Sequence, residues 1–317
     1  MNIYIDQRIE LITIIQTLCN YWDNLALKYF NNKLFQCEYK ENIKQYFNKY
    51  KNNETIELYN KFCNDEMDIS AFLTLVLNYS TPPEICKLSD YNGNKYDYFI
   101  NCLRRFYKET DFNIFYTNNK NQHKKILEDF GNKGDFIEEL KYIFDFLSIE
   151  QKYYEVIISP LVFGNFGINT NDKIYIIISP INYKDDKYIF GSKESVKNII
   201  WHEISHTVIN GLTKKYYNLV RFENIKIPEI YVNNLYNNWE TIINEYIIRS
   251  ITYLLEKDNN CQKALLEYEI KSGFNEIENI KNFIIENCLI NDKFNKENNY
   301  SKLIDYVIER ISKSYCT

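Results

Sequence analysis

Trp201-His202-Glu203-Ile204-Ser205-His206 carries two of the three histidines in the chain, four residues apart, with a glutamate directly after the first. On an α-helix, side chains at i and i+4 stand on one face, one above the other. Both imidazoles then reach a single metal ion. Glu203 leans over the remaining position of that ion and takes a proton from bound water. This H-E-x-x-H pattern predicts a zinc hydrolase, most often a peptidase. The flanking residues predict the helix. Val196, Ile199 and Ile200 precede the motif, and Val208 and Ile209 follow it. Ser192 is the expected N-cap, Glu194 lies in the first turn, and Asn210-Gly211 is the expected stop, which gives a helix over 193–210. Two histidines and a glutamate on so apolar a segment are costly unless they share a partner.

Composition sets the frame around this helix. With 317 residues, 45% of them hydrophobic and 16% aromatic, the chain can build a sizeable core, much of it from 29 Tyr and 20 Phe. The net charge of −5 is mild and no long basic or acidic run occurs, so a nucleic-acid partner is not expected. Residues 1–22 lack a basic start and are interrupted by Asp6 and Glu10, unlike a secretory signal. No apolar stretch approaches the roughly 20 residues that span a bilayer. The expectation is a cytoplasmic protein with no membrane partner. The eight cysteines are dispersed and none forms a C-x-x-C pair, which reads as free thiols in a reducing compartment. None lies beside the motif, so a mixed Cys/His zinc site is not expected. The third histidine, His123, sits in Asn119-Lys120-Asn121-Gln122-His123-Lys124 and reads as a solvated surface residue.

Along the chain, residues 1–150 read as a helical lobe. Helices are expected at 9–29, 39–50, 55–63, 67–78, 96–108, 121–130 and 135–148, with breaks at Asn52-Asn53, Thr81-Pro82-Pro83, Asn92-Gly93-Asn94 and Gly131-Asn132-Lys133-Gly134. The pattern then changes. Residues 153–159 and 173–179 are short, β-branched and aromatic, each ending before a proline, and read as neighbouring strands of a small sheet. Phe163-Gly164-Asn165-Phe166-Gly167 between them reads as a loop. A second strong helix is expected over 236–256, after a segment containing Pro228, and 261–316 reads as helical. The fold class is α+β, mainly α: a helical N-terminal lobe at 1–150 and a metal-binding lobe at 151–317.

Catalytic zinc usually takes three protein ligands and keeps one position for water. The motif supplies two. No histidine occurs after His206, and position 212, where a third would stand in metzincins, is leucine. The third ligand is therefore expected to be acidic. The helix over 236–256 offers Glu240 and Glu245. At about 100° per residue, Glu245 shares a polar stripe with Thr241, Arg249, Thr252 and Glu256, whereas Glu240 falls among Ile247, Ile251 and Leu254. Either placement suits a ligand, and the residue pattern alone leaves both open.

Asn244-Glu245 resembles the N-E motif of the gluzincins, in which the glutamate binds zinc. That resemblance implies Glu245 as the third ligand and a zincin-like core, with the small sheet beside the metal helix. It also implies a tyrosine or histidine that donates to the oxyanion. Tyr236 and Tyr231 in the connecting segment are the candidates, Tyr236 foremost. The acid expected four residues after the ligand is replaced by Arg249, and 38 residues separate His206 from Glu245, more than in thermolysin-like enzymes. More of the chain resembles the bacterial domain-of-unknown-function family 4932. The resemblance is carried by Ile5-Asp6-Gln7-Arg8-Ile9-Glu10-Leu11, by Phe106-Tyr107-Lys108-Glu109-Thr110-Asp111-Phe112, by the loop over 160–167, by the metal run, and by Glu245-Tyr246-Ile247-Ile248-Arg249-Ser250. In that family an arginine four residues after the glutamate is expected. Gly211 stands where a proline would follow Asn210. The family implies a metallopeptidase with no assigned substrate.

The expectation is thus a zinc-dependent peptidase with Zn2+ on His202, His206 and Glu245 and with Glu203 as general base. Arg249 either pairs with Glu245 or Glu256 or binds a substrate carboxylate. The partner is a peptide or protein, extended along the strand at 173–179 by strand addition. The alternative is a metal-binding scaffold without turnover, against which the intact Glu203 argues.

Overall fold

A computed structural model describes residues 2–30, 35–64, 70–88, 96–131, 137–149, 153–217, 226–233, 236, 238–295 and 299–315. By backbone contact the chain falls into two compact units, one of Met1–Gly134 with Tyr153–Gly191 and one of Asp135–Lys152 with Ser192–Thr317. This division differs from the boundary expected at 150. The strands group with the N-terminal helices, and the helix before them groups with the C-terminal residues. The fold is α+β and mainly helical, as expected.

The first unit contains β1 (Asn2–Tyr4), α1 (Gln7–Leu18), α2 (Tyr21–Phe30), α3 (Glu38–Phe47), α4 (Glu54–Asn64), α5 (Ala71–Leu77), α6 (Asp97–Glu109), α7 (Phe112–Asn118) and α8 (Lys120–Phe130). Then follow β2 (Tyr153–Ile158), β3 (Phe166–Asn169), β4 (Lys173–Ile178) and the hairpin β5 (Asn182–Lys184) and β6 (Lys187–Ile189). The helix expected over 9–29 is two helices, because Asn20 turns the chain with φ 52°. Helix α1 is the spine of this unit. Ile9, Leu11, Ile12, Ile14 and Ile15 are all fully buried, so the helix is covered on every side. Asp6 caps it, accepting from the Arg8 and Ile9 amides, while the Arg8 guanidinium holds the same carboxylate.

The four-stranded sheet has the order β1-β2-β4-β3. Strands β1, β2 and β4 run parallel, and β3 pairs antiparallel with β4, Phe166 opposite Ile177. Both expected strands form, and they are neighbours. The expected loop over 163–167 instead leads into β3. The binding mode along 173–179 is overturned. Strand β4 is central, its hydrogen-bonding groups are taken on both sides, and no added strand can pair with it. Residues Ile174 to Ile178 are all buried, as in a parallel strand covered on both faces. The outer strands of this sheet are β1 and β3.

His123 is also placed differently from its expectation. It is 6% exposed, on the inner face of α8 with Ile126 and Phe130. The Tyr39 hydroxyl donates to Glu10 Oε2 and lies 2.9 Å from His123 Nε2. A phenol has one proton, so with that proton on Glu10 the imidazole must donate through Nε2–H. His123 is therefore a neutral donor in the core, and burial pushes its pKa down to about 4.

The second unit contains α9 (Ile137–Phe146), α10 (Lys193–Tyr217), α11 (Glu229–Asn233), α12 (Trp239–Leu255), α13 (Asn259–Lys271) and α14 (Ile277–Asn287). A short hairpin of β7 (Leu289–Ile290) and β8 (Lys293–Phe294) follows, then α15 (Tyr300–Tyr315). Helix α10 starts where expected, with the Ser195 amide donating to Ser192 Oγ at 3.1 Å. It does not stop at Asn210-Gly211. It continues to Tyr217, because Thr213 is fully buried and its hydroxyl lies 2.7 Å from that of Tyr300 on α15. Packing of the extra turns outweighs the weak stop signal. Among the described residues no helix is long and apolar enough to cross a membrane.

Glu10 generates a test of the first unit. Burial raises its carboxyl to about 7, against the opposing hydrogen bond from Tyr39 and with Asp6 adding to the rise. A raised carboxyl pKa means the folded state holds its proton longer than the unfolded chain does. This contribution is complete below the unfolded pKa near 4.5 and is lost as pH climbs through about 7. The loss is on the order of 3 kcal/mol. Glu10→Gln cannot ionise. Urea unfolding at about pH 5 and pH 8 is expected to show wild type losing stability relative to Glu10→Gln at the higher pH. An identical gap at both pH values contradicts the placement of Glu10.

Candidate metal centre

Helices α10 and α12 pack on each other and position the site. Helix α10 is fixed by its apolar side. Val196, Ile200, Ile204 and Ile209 are fully buried, and the Trp201 indole donates to the Glu139 carbonyl of α9 at 3.0 Å. That leaves His202 and His206 on another face, each about one-fifth exposed. Helix α12 begins at a capping asparagine, with the Thr241 amide donating to Asn238 Oδ1 at 2.8 Å. It is apolar nearly throughout, with Ile242, Ile243, Ile247, Ile248 and Ile251 fully buried. Glu245 lies on it in this setting at 6% exposure.

Three donors converge. His202 Nε2 and His206 Nε2 are 3.1 Å apart. Glu245 Oε1 lies 3.3 Å from His206 Nε2, and Oε2 lies 3.7 Å from His202 Nε2. Ligand atoms about 2.0–2.1 Å from a tetrahedral zinc are about 3.3–3.4 Å apart; the 3.1 and 3.3 Å contacts of His206 Nε2 come close to that, and one donor atom from each of the three residues lies within 4.8 Å of the others. Two imidazoles and one carboxylate are also the donor set of a catalytic zinc. The residues present therefore fit a zinc ion, and His202, His206 and Glu245 could hold one. His206 has an outer partner, since its Nδ1 lies 3.2 Å from Asn210 Oδ1. An Nδ1–H directed at that oxygen leaves Nε2 free to ligate.

Electrostatics follow the geometry. Burial drives His202 down to about 3, against the pull of Glu245. Burial also opposes a charge on His206, but the hydrogen bond and charge of Glu245 prevail and hold it at about 9. Glu245 stays well below the usual carboxylate range. Burial would raise it, and Arg249 and the two imidazoles outweigh burial. At neutral pH the cluster thus keeps its carboxylate charged and one imidazole neutral, with a proton on the other that a cation would displace.

The remaining expected residues divide clearly. Glu203 is buried beside the ligands, 8% exposed, and its charge is felt at His206. Tyr236 is tied to the site through Arg249, whose Nη2 donates to its hydroxyl at 3.1 Å. Burial and Glu245 push the Tyr236 phenol above its ordinary value, so it keeps its proton. Tyr231 is elsewhere: it is fully buried, its hydroxyl 2.7 Å from that of Tyr246 and 3.1 Å from the Gly273 carbonyl oxygen. Glu240 does not join the cluster. Arg249 pairs with Glu245, as expected, and its second carboxylate is Glu269 and not Glu256, which instead pairs with Lys197. Glu269 carries no local sequence signal, since it lies on another helix. Asn210 could have been found from its i+4 spacing after His206. The seven described cysteines are free thiols; Cys316 lies outside the described residues.

Residues 87–309 match the family described as Domain of unknown function (DUF4932), and the chain belongs to that family. The match spans every residue of the metal centre. No curated protein and no solved structure matches the chain.

The choice between the two acids is open to direct measurement. Glu245→Ala is expected to weaken zinc binding by more than the roughly 10–100-fold typical of an outer partner. Glu240→Ala is expected to leave zinc content unchanged. Zinc analysis after dialysis against a mild chelator reads both, and the reverse pattern contradicts the assigned ligand.

Proposed function

We propose that this DUF4932 member is a zinc-dependent metallopeptidase with a zincin-like core. The observation that carries the reading is the cluster of His202 Nε2, His206 Nε2 and the Glu245 carboxylate, with Glu203 buried on the same helix as the two imidazoles. A bound zinc would supply a water of lowered pKa and a polarised substrate carbonyl. The protein groups do the rest. Glu203 is the general base that accepts the proton of the attacking water and returns it to the leaving amine. Its burial keeps bulk water from competing for that proton. Tyr236 is the oxyanion donor. Its oxygen accepts from Arg249, so its own proton remains to be donated, and its raised pKa keeps that proton in place at neutral pH.

The substrate is a peptide or protein. Strand addition to β4 is excluded by its central place in the sheet, so the specificity of the site rests on groups around the metal centre. The dispersed free thiols favour a reducing compartment, the cytoplasm. A scaffold without turnover has no chemical use for a buried Glu203 next to two ligands, which favours the enzymatic reading.

The test is Glu203→Gln. The amide keeps the shape of the side chain but cannot take a proton. Turnover of any peptide cleaved by wild type is expected to fall by about 10²–10⁴-fold, with zinc content and circular dichroism unchanged. Activity within a few-fold of wild type removes Glu203 from this role.

A further inference from the structure

Arg249 stands one turn after Glu245 on α12, and its side chain is 13% exposed. Each part of its guanidinium has a separate partner. Nε donates to Glu245 Oε2 at 2.9 Å, Nη1 donates to Glu269 Oε2, and Nη2 donates to the Tyr236 hydroxyl oxygen at 3.1 Å. The guanidinium carbon lies 4.2 Å from the centroid of the Phe274 ring. A planar fork with fixed donor directions cannot move toward one of these groups without leaving another.

The turn after α13 assembles two of the partners. The Phe274 amide donates to the Glu269 carbonyl at 2.9 Å, which brings the Glu269 side chain and the Phe274 ring to one guanidinium. Gly273 makes this turn with φ 97°, and a Cβ there would meet Ile230 Cδ1 at 2.8 Å. A loop glycine, a ring and a second carboxylate are thus spent on fixing one arginine that touches a metal ligand.

We infer that Arg249 is a positioning residue that fixes Glu245 as a one-oxygen metal ligand and holds the Tyr236 hydroxyl in register with it. This rests on the metal reading above. Oε2 of Glu245 accepts from Arg249 and lies 3.7 Å from His202 Nε2, while Oε1 lies closer to its imidazole, 3.3 Å from His206 Nε2. A carboxylate with both oxygens free can ligate through both and crowd the position that water needs. Arg249 disfavours that by engaging the second oxygen, which leaves Oε1 the better donor. Glu269 balances the arginine charge, so Glu245 keeps its own charge for the cation. Lysine could not replace this arrangement, since one ammonium on a flexible stem cannot serve three acceptors and stack on a ring.

Cobalt(II) in place of zinc tests this without a known substrate. Four-coordinate cobalt absorbs visible light several-fold more strongly than five- or six-coordinate cobalt. Wild type is expected to bind one cobalt with an intense spectrum. Arg249→Lys should keep one site but bind cobalt roughly 10–100-fold more weakly, with reduced intensity as a second oxygen joins the metal. Tyr236→Phe should change neither property, because it leaves the Glu245 clamp in place. Glu269→Gln releases only the outer anchor and should shift both in the same direction by less. It carries the test if circular dichroism shows that Arg249→Lys does not fold. Unchanged affinity and spectrum in the folded variants overturn the inference and leave the metal reading standing. A wild-type protein that takes up no cobalt overturns the metal reading and this inference together.

Discussion

Two imidazole nitrogens 3.1 Å apart, with a carboxylate oxygen 3.3 Å from one of them, form a contact that needs a proton or a cation between its members. Two lone pairs facing each other at that distance repel. A proton can bridge the pair, and so can a divalent cation. The centre is therefore an electrostatic constraint before it is a catalytic one. Helices α10 and α12 hold the three donors together through apolar packing, at the desolvation cost of bringing polar groups inside. A cation held by the three donors would offset that cost.

The surroundings of the triangle act on charge and orientation. Arg249 keeps Glu245 ionised in a buried place where desolvation would otherwise favour the neutral acid. Asn210 faces the far nitrogen of His206. Tyr236 is linked to Glu245 through the guanidinium of Arg249. Glu245 and the Tyr236 hydroxyl are thus coupled by hydrogen bonds through one guanidinium. Disturbing Arg249 should move both of them at once.

Much of this centre was legible in the sequence, because its spacing is local. A spacing of four positions between histidines on an apolar helix fixes a shared face, and Ser192 marks the helix start. Glu245 needed the resemblance of Asn244-Glu245 to a known motif, since helical periodicity alone allowed Glu240 as well. What failed depended on distant partners. Strand β1 is three residues long and exists through pairing with β2 about 150 residues later. The extension of α10 past Gly211 depends on Thr213 meeting Tyr300. His123 looked solvated among lysines and asparagines, yet its helical spacing to Ile126 and Phe130 pointed inward. Strand β4 offered a similar missed signal. The run from Ile174 to Ile178 has no alternation, which indicates burial on both faces and a central place in the sheet.

The central claim is that His202, His206 and Glu245 share one zinc ion, and X-ray absorption at the zinc edge tests it most directly. The account predicts one zinc per chain, with only nitrogen and oxygen neighbours at about 2.0–2.1 Å and the outer-shell signature of two imidazoles. Loss of one imidazole is predicted in His206→Ala. Purified protein that takes up no stoichiometric zinc, or a zinc with sulfur neighbours at about 2.3 Å, would contradict it.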